Sequence, residues 1–141
     1  VAELIGTAVE GVDVYSAYKS VCDTAIAYLQ KINAVLEGTP FKIAYRTRNE
    51  VLLYVVNNLP YKQEGETEDD VIHRALDEIT NMKILSRIEG DADKIGNLLE
   101  RLTNVIKEQL GEQLTIENSV SLKKLNEMEN RLKSGYTSFW S

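Results

Sequence analysis

The sequence predicts an all-α domain, a compact bundle of about five helices, and three features carry that reading. Apolar residues recur at helical spacing through long segments, capping patterns stand before several of these, and both prolines, Pro40 and Pro60, fall between them. Residues 1–14 lack a helical period, contain Gly6 and Gly11, and read as a loop or extended lead-in. A single helical domain is expected over 15–141.

The first helix is expected from about Tyr15 to Leu36, with Tyr18, Cys22, Ala25, Leu29, Ile32 and Leu36 on one face. Glu37-Gly38-Thr39-Pro40 ends it, since Gly38 can take the left-handed C′ conformation and Pro40 cannot continue a helix. The second runs from about Arg48 to Asn58. Val51, Leu52, Leu53, Val55 and Val56 make it apolar almost all round, so it belongs at the centre of the bundle. A short β-branched run could also be a strand. Thr47 and Glu50 have the spacing of a capping box, and this decides for helix.

After the polar loop from Pro60 to Gly65, Thr67 and Asp70 open a third helix in the same capping pattern. Ile72, Ala75, Leu76 and Ile79 face inward, and the helix is expected to continue towards Leu85. Gly90 interrupts. Asp91 caps a fourth helix with the stripe Ile95, Leu98, Leu99, Leu102, Val105, Ile106 and Leu110, and Gly111 stops it. The fifth lies between about Ser119 and Ser134, with Leu122, Leu125, Met128 and Leu132 inward and Gly135 at C′. The tail Tyr136-Thr137-Ser138-Phe139-Trp140 is aromatic, and complete exposure of it would be unusual.

Bulk properties narrow the function. A chain of 141 residues can bury one real core. A net charge of −6 argues against a protein that grips nucleic acid over most of its surface, while leaving room for a local basic patch. The longest apolar run, Val51–Val56, is far short of the ~20 residues that span a bilayer. With no leader pattern and one cysteine, Cys22, a reducing, cytoplasmic setting without a membrane partner is expected. Cys22 lies on an apolar stripe and reads as a small core residue. The chain opens on Val1 rather than methionine, as a piece of a longer protein would.

Most site motifs are absent from the sequence. There is no phosphate-cradling G-x-x-x-x-G-K-[ST] loop, and one cysteine with one histidine cannot build a zinc site, so no metal site is expected. A carboxylate-bridged di-metal bundle needs two Glu-x-x-His units, whereas the chain offers only Asp70-Val71-Ile72-His73. His73 therefore reads as a surface or half-buried helix residue. Lys123, Lys124, Arg131 and Lys133 form a modest basic cluster with Glu127 and Glu129 interleaved, which reads as a solvated face before it reads as a contact for DNA phosphates.

The most informative segment is Phe41-Lys42-Ile43-Ala44-Tyr45-Arg46-Thr47-Arg48-Asn49-Glu50-Val51-Leu52-Leu53-Tyr54-Val55. With Thr47 as N-cap, Arg46 stands just outside the helix and Arg48 in its first turn. The helix dipole disfavours cations there, whereas an anion would meet free backbone N–H groups. Two arginines at that end point to a phosphate or carboxylate partner. The competing reading pairs Arg46 with an acid of its own domain, such as Glu50.

Ile32-Asn33 followed by this segment as far as Val51 resembles the lid region of AAA+ motors related to the methylcytosine-dependent restriction GTPase McrB. Leu76-Asp77 with Lys83-Ile84-Leu85-Ser86-Arg87-Ile88-Glu89-Gly90 resembles the Leu-Asp…Lys-Ile-Leu-Pro-x-x-x-Gly stretch of McrB-like proteins, with Ser86 in place of the proline. Ser121-Leu122-Lys123-Lys124-Leu125-x-x-Met128-x-x-Arg131-Leu132 with Gly135-Tyr136-Thr137-Ser138-Phe139-Trp140 resembles their C-terminal end. The likeness covers roughly residues 25–140, and the order and spacing of its pieces carry it.

That resemblance implies an AAA+ small (lid) subdomain with a C-terminal extension, whose nucleotide-binding α/β core lies upstream. It implies that Arg46 is the lid arginine known as sensor 2, with Tyr45 and Arg48 beside it at the nucleotide. The implied cofactor is ATP or GTP with Mg2+ in the full-length protein, and none for this chain alone. The implied partners are the upstream core, neighbouring subunits of a ring and a McrC-like nuclease subunit, with DNA reached only through the full motor. The alternative is a self-standing helical protein–protein interaction domain that uses its apolar tail or a groove between helices.

Overall fold

The computed structural model describes residues 15–140, so the expected lead-in over 1–14 lies outside the described residues. Residues 15–17 are helical, and a break at Tyr18 separates them from α1, Lys19–Leu36. Then come α2 (Tyr45–Asn58), α3 (Glu68–Ile79), α4 (Ala92–Leu110) and α5 (Val120–Leu132). The all-α expectation therefore holds, with one addition: β1 (Glu89–Asp91) and β2 (Tyr136–Ser138) form a two-stranded sheet.

α1 packs on α2 and α4, α2 on α3, and α4 on α5. One apolar cluster takes residues from all five helices. The expected stripes supply it: Cys22, Ala25, Leu29, Ile32 and Leu36 of α1 are buried, as are Ile95, Leu98, Leu99, Leu102, Ile106 and Leu110 of α4. Only Tyr18, Val105 and Leu132 among the predicted inward residues stay half-buried. Burying one such aliphatic side chain stabilises by roughly 1.5–3 kcal/mol, so the stripes account for the helices better than local propensity does.

Caps fix the helix ends. At α3, Thr67 Oγ1 accepts from the Asp70 amide at 3.1 Å and Asp70 accepts from the Thr67 amide at 2.9 Å, the expected box. Asp91 accepts from the Lys94 amide at 3.0 Å to open α4. After α1, Gly38 takes φ +83°, and the Thr39 amide closes onto the Leu36 carbonyl at 3.0 Å.

The third helix departs from the expected smooth run to Leu85. Ile79 ends α3, and Thr80–Ile84 form a π turn closed by the Leu85 amide on the Thr80 carbonyl. Thr80 donates its hydroxyl to the Leu76 carbonyl at 2.7 Å, and the buried Tyr28 hydroxyl bonds Thr80 at the same distance. Burial pushes the Tyr28 phenol far above its ordinary range, so it stays protonated and donates. A side chain inserted into the backbone ladder is a known cause of such a change of pitch.

The aromatic tail is anchored. β2 runs antiparallel to β1, pairing Glu89 with Ser138, Gly90 with Thr137 and Asp91 with Tyr136. Gly90 packs so closely that a Cβ there would lie 3.2 Å from Ile95 Cγ2.

Candidate functional site

The lead into α2 is held by α1. The Asn33 side-chain oxygen accepts from the Ile43 amide at 2.6 Å, and its amide group donates to the Ile43 carbonyl at 3.3 Å. Phe41 and Ile43 pack against the apolar cluster on either side of exposed Lys42. This two-point clamp fixes the backbone at Ile43. The helix then starts from Ala44, whose carbonyl accepts from the Arg48 amide at 3.0 Å.

That start corrects the capping box expected of Thr47 and Glu50. The N-cap is Ala44, with no side-chain cap, and α2 begins at Tyr45 rather than near Arg48. Thr47 is the third helical residue. Glu50 turns away from it to pair with Lys83 Nζ at 3.0 Å. The reason is tertiary: the clamp from Asn33 supplies the order that a local cap would have provided. Arg46 consequently sits inside the first turn rather than just outside the helix. The amides of Tyr45, Arg46 and Thr47 precede the first intrahelical bond and face no capping side chain.

A cleft of about 300 Å³ opens between α1 and this helix start, lined by Ile26, Leu29, Gln30, Asn33, Ile43, Ala44, Tyr45 and Arg48. The three predicted residues separate around it. Tyr45 is 61% exposed, and Arg48 is half-buried with its guanidinium 5.4 Å from the Tyr45 ring centre, so the two form one edge of the cleft. Arg46 is exposed and outside the cleft lining, with no ion pair among the described residues. The suggested Arg46–Glu50 pair does not form, because Glu50 is taken by Lys83.

Cys22 is the buried core residue its stripe predicts, at 1% exposure. Burial pushes its thiol up, Asp23 adds to this, and Arg48 opposes it, so the group is held as a neutral thiol. His73 is half-buried on α3 and borders a second hollow of about 220 Å³ with Asp70, Arg74, Asp77 and Leu114. Among the described residues no group of three or more histidine, cysteine or acidic side chains could hold a metal ion.

Asp77 is the polar residue whose role periodicity did not reveal. Its carboxylate, 8% exposed, accepts from the Ser119 hydroxyl at 2.8 Å and from the Val120 and Ser121 amides at 3.1 and 3.3 Å. Ser121 donates back to the Asp77 carbonyl at 2.7 Å. The available signal was an acid next to Leu76 of an apolar stripe, together with Ser119-x-Ser121 at a helix start.

The basic cluster of α5 is only partly the solvated face expected. Lys123 and Lys133 are exposed. Lys124 pairs with Glu127 at 3.1 Å and sits 4.6 Å from the centre of the Phe139 ring, while Arg131 donates to the Ser138 carbonyl at 2.5 Å. Two of the four cations thus hold the tail. Phe139 packs inward, and Trp140 meets it edge-on at 4.7 Å while remaining 79% exposed.

Fold and site together define a small all-α domain with a cation-edged cleft at the open start of its second helix. The chain belongs to the DUF8727 family, described as a domain of unknown function, whose sequence profile matches residues 7–136. Neither a curated protein nor a solved structure matches it. Among the described residues no helix is long and apolar enough to cross a membrane.

Proposed function

We propose that this domain is the C-terminal lid of an AAA+ nucleoside-triphosphatase motor of a DNA restriction or defence system, in which Arg46 approaches the terminal phosphates of ATP or GTP. One observation carries the reading: Arg46 is an exposed arginine in the first turn of a helix that lacks a side-chain cap, and its nearest helical acid, Glu50, is engaged elsewhere. A guanidinium stays charged and grips phosphate oxygens bidentately, and the open amides of the same turn favour the same charge. Arg48 and Tyr45 would border the nucleotide from the cleft.

The lining of the cleft, with Arg48 and Tyr45 at its edge, offers a phosphate a cation and supplies no carboxylate for its Mg2+. Mg2+ would therefore be held by the upstream core. The lid has no turnover alone; it completes the site, packs against the next subunit of a ring and couples nucleotide state to its own orientation. A McrC-like nuclease subunit and DNA belong to the assembled motor. The exposed Trp140 favours a second reading, a self-standing interaction domain anchored by its tail.

Arg46→Ala in the full-length protein separates the two. Under the lid reading it leaves the fold intact and lowers nucleotide hydrolysis by about 10²-fold, the scale of one lost transition-state donor. Wild-type turnover in that variant rejects the phosphate role.

A further inference from the structure

We infer that Lys83 is a positioning residue for Arg46: it holds Glu50 and thereby keeps the arginine open to an anion. This rests on the lid reading for its functional consequence, though not for its geometry. Arg46 and Glu50 stand four residues apart on α2, a spacing at which a helical arginine and glutamate meet. Left alone, Glu50 would be the natural partner of Arg46 and would occupy the guanidinium that a phosphate needs. Lys83 instead pairs with Glu50 at 3.0 Å.

The π turn puts Lys83 where it can do this. The inward stripe of α3 steps from Ile72 to Leu76 to Ile79, and an uninterrupted α-helix would bring residue 83 inward next. The extra residue accommodated in Thr80–Ile84 gives that place to Ile84, which is 2% exposed. Lys83 is thereby turned to the rim, where its side chain is 49% exposed and beside Glu50. Thr80, held by Tyr28 from α1 and bonded back to Leu76, maintains the turn. The sensor-like arginine is thus governed by a residue on a different helix.

The test has two arms. In this chain, NMR of the Arg46 side-chain Nε is expected to show no change on Glu50→Gln, because Glu50 is already engaged. In Lys83→Met the same resonance should shift as the Arg46–Glu50 pair forms, and Lys83→Met with Glu50→Gln should return it. In the full-length protein, Lys83→Met should lower hydrolysis about threefold, the scale of a solvent-facing ion pair. The double variant should restore it, and Lys83→Arg should leave it unchanged. An unmoved Arg46 resonance in Lys83→Met overturns the inference whatever hydrolysis does. A shifted resonance alongside normal hydrolysis in Arg46→Ala upholds the positioning and rejects the phosphate role instead.

Discussion

At the start of α5 the free backbone amides meet a buried carboxylate, whereas at the start of α2 they meet no capping side chain and two arginines stand beside them. Both helices face the same problem, since the first N–H groups of any helix lack an intrahelical partner. At α5 the solution is local charge: Asp77 takes two amides and the Ser119 hydroxyl, and Ser119 Oγ accepts from the Leu122 amide at 3.2 Å. At α2 the backbone is fixed one residue upstream, by Asn33 on Ile43, and the amides themselves are left open. The difference teaches that α2 is held in place by means that leave its first-turn amides without a side-chain acceptor.

The largest effect expected from breaking this contrast is at Asp77. Asp77→Ala strips the buried Ser119 hydroxyl and two amides of their acceptor, and each unsatisfied donor costs on the order of 1–3 kcal/mol. Water entering through the adjacent hollow offsets part of this, so the net loss should be about 3 kcal/mol by urea unfolding. That is a large share of the ~5–15 kcal/mol typical of a domain. A loss below about 1 kcal/mol would show that α5 does not depend on this carboxylate.

Periodicity located four of the five helices because each buries a continuous apolar face, and burial at 3.6-residue spacing leaves a direct trace in composition, whereas α2 was read as a helix from a Thr47–Glu50 capping box that does not form. The caps of α3 and α4 were legible for a similar reason, each being completed within four residues. What escaped the sequence depends on contacts between distant segments. Ser119 caps α5 locally, but the carboxylate that takes its next two amides, Asp77, lies more than forty residues upstream, and the start of α2 is set by Asn33 in another helix. The β1–β2 pair was hidden because three-residue strands are too short to show an alternation, although Gly90 and the aromatic tail each marked an unusual place. At the candidate site the sequence grouped Tyr45, Arg46 and Arg48 but did not reveal their separation: Arg48 joins Tyr45 at the cleft, and exposed Arg46 lies outside its lining. The π turn that engages Glu50 rests on Tyr28 meeting Thr80 across the fold, which no local pattern reports.

The clamp at Asn33 should matter less than Asp77, because its two bonds are only half-buried. Asn33→Ala is expected to cost about 1 kcal/mol, the net value of an ordinary hydrogen-bond pair with partial access to water. Its effect should also be local. Hydrogen exchange at the Ile43 amide and in the first turn of α2 should accelerate while α4 and α5 keep their protection. Uniform acceleration across all helices would instead make Asn33 a general stability residue and remove the distinction between the two helix starts.

The smallest effect is the most discriminating about how α2 begins. A threonine acting as N-cap costs roughly 0.5–2 kcal/mol when replaced by alanine, because an amide loses its acceptor. Thr47 is instead the third helical residue, half-buried and without a capping bond. There alanine has the better helix propensity by a few tenths of a kcal/mol, and the loss of a methyl contact roughly offsets the gain. Thr47→Ala should therefore leave the urea midpoint within about 0.5 kcal/mol of wild type. A clear destabilisation near 1 kcal/mol would return the helix start to Thr47 and place Arg46 outside α2. Its guanidinium would then no longer be carried by the first turn, and the open amides would cease to act beside it.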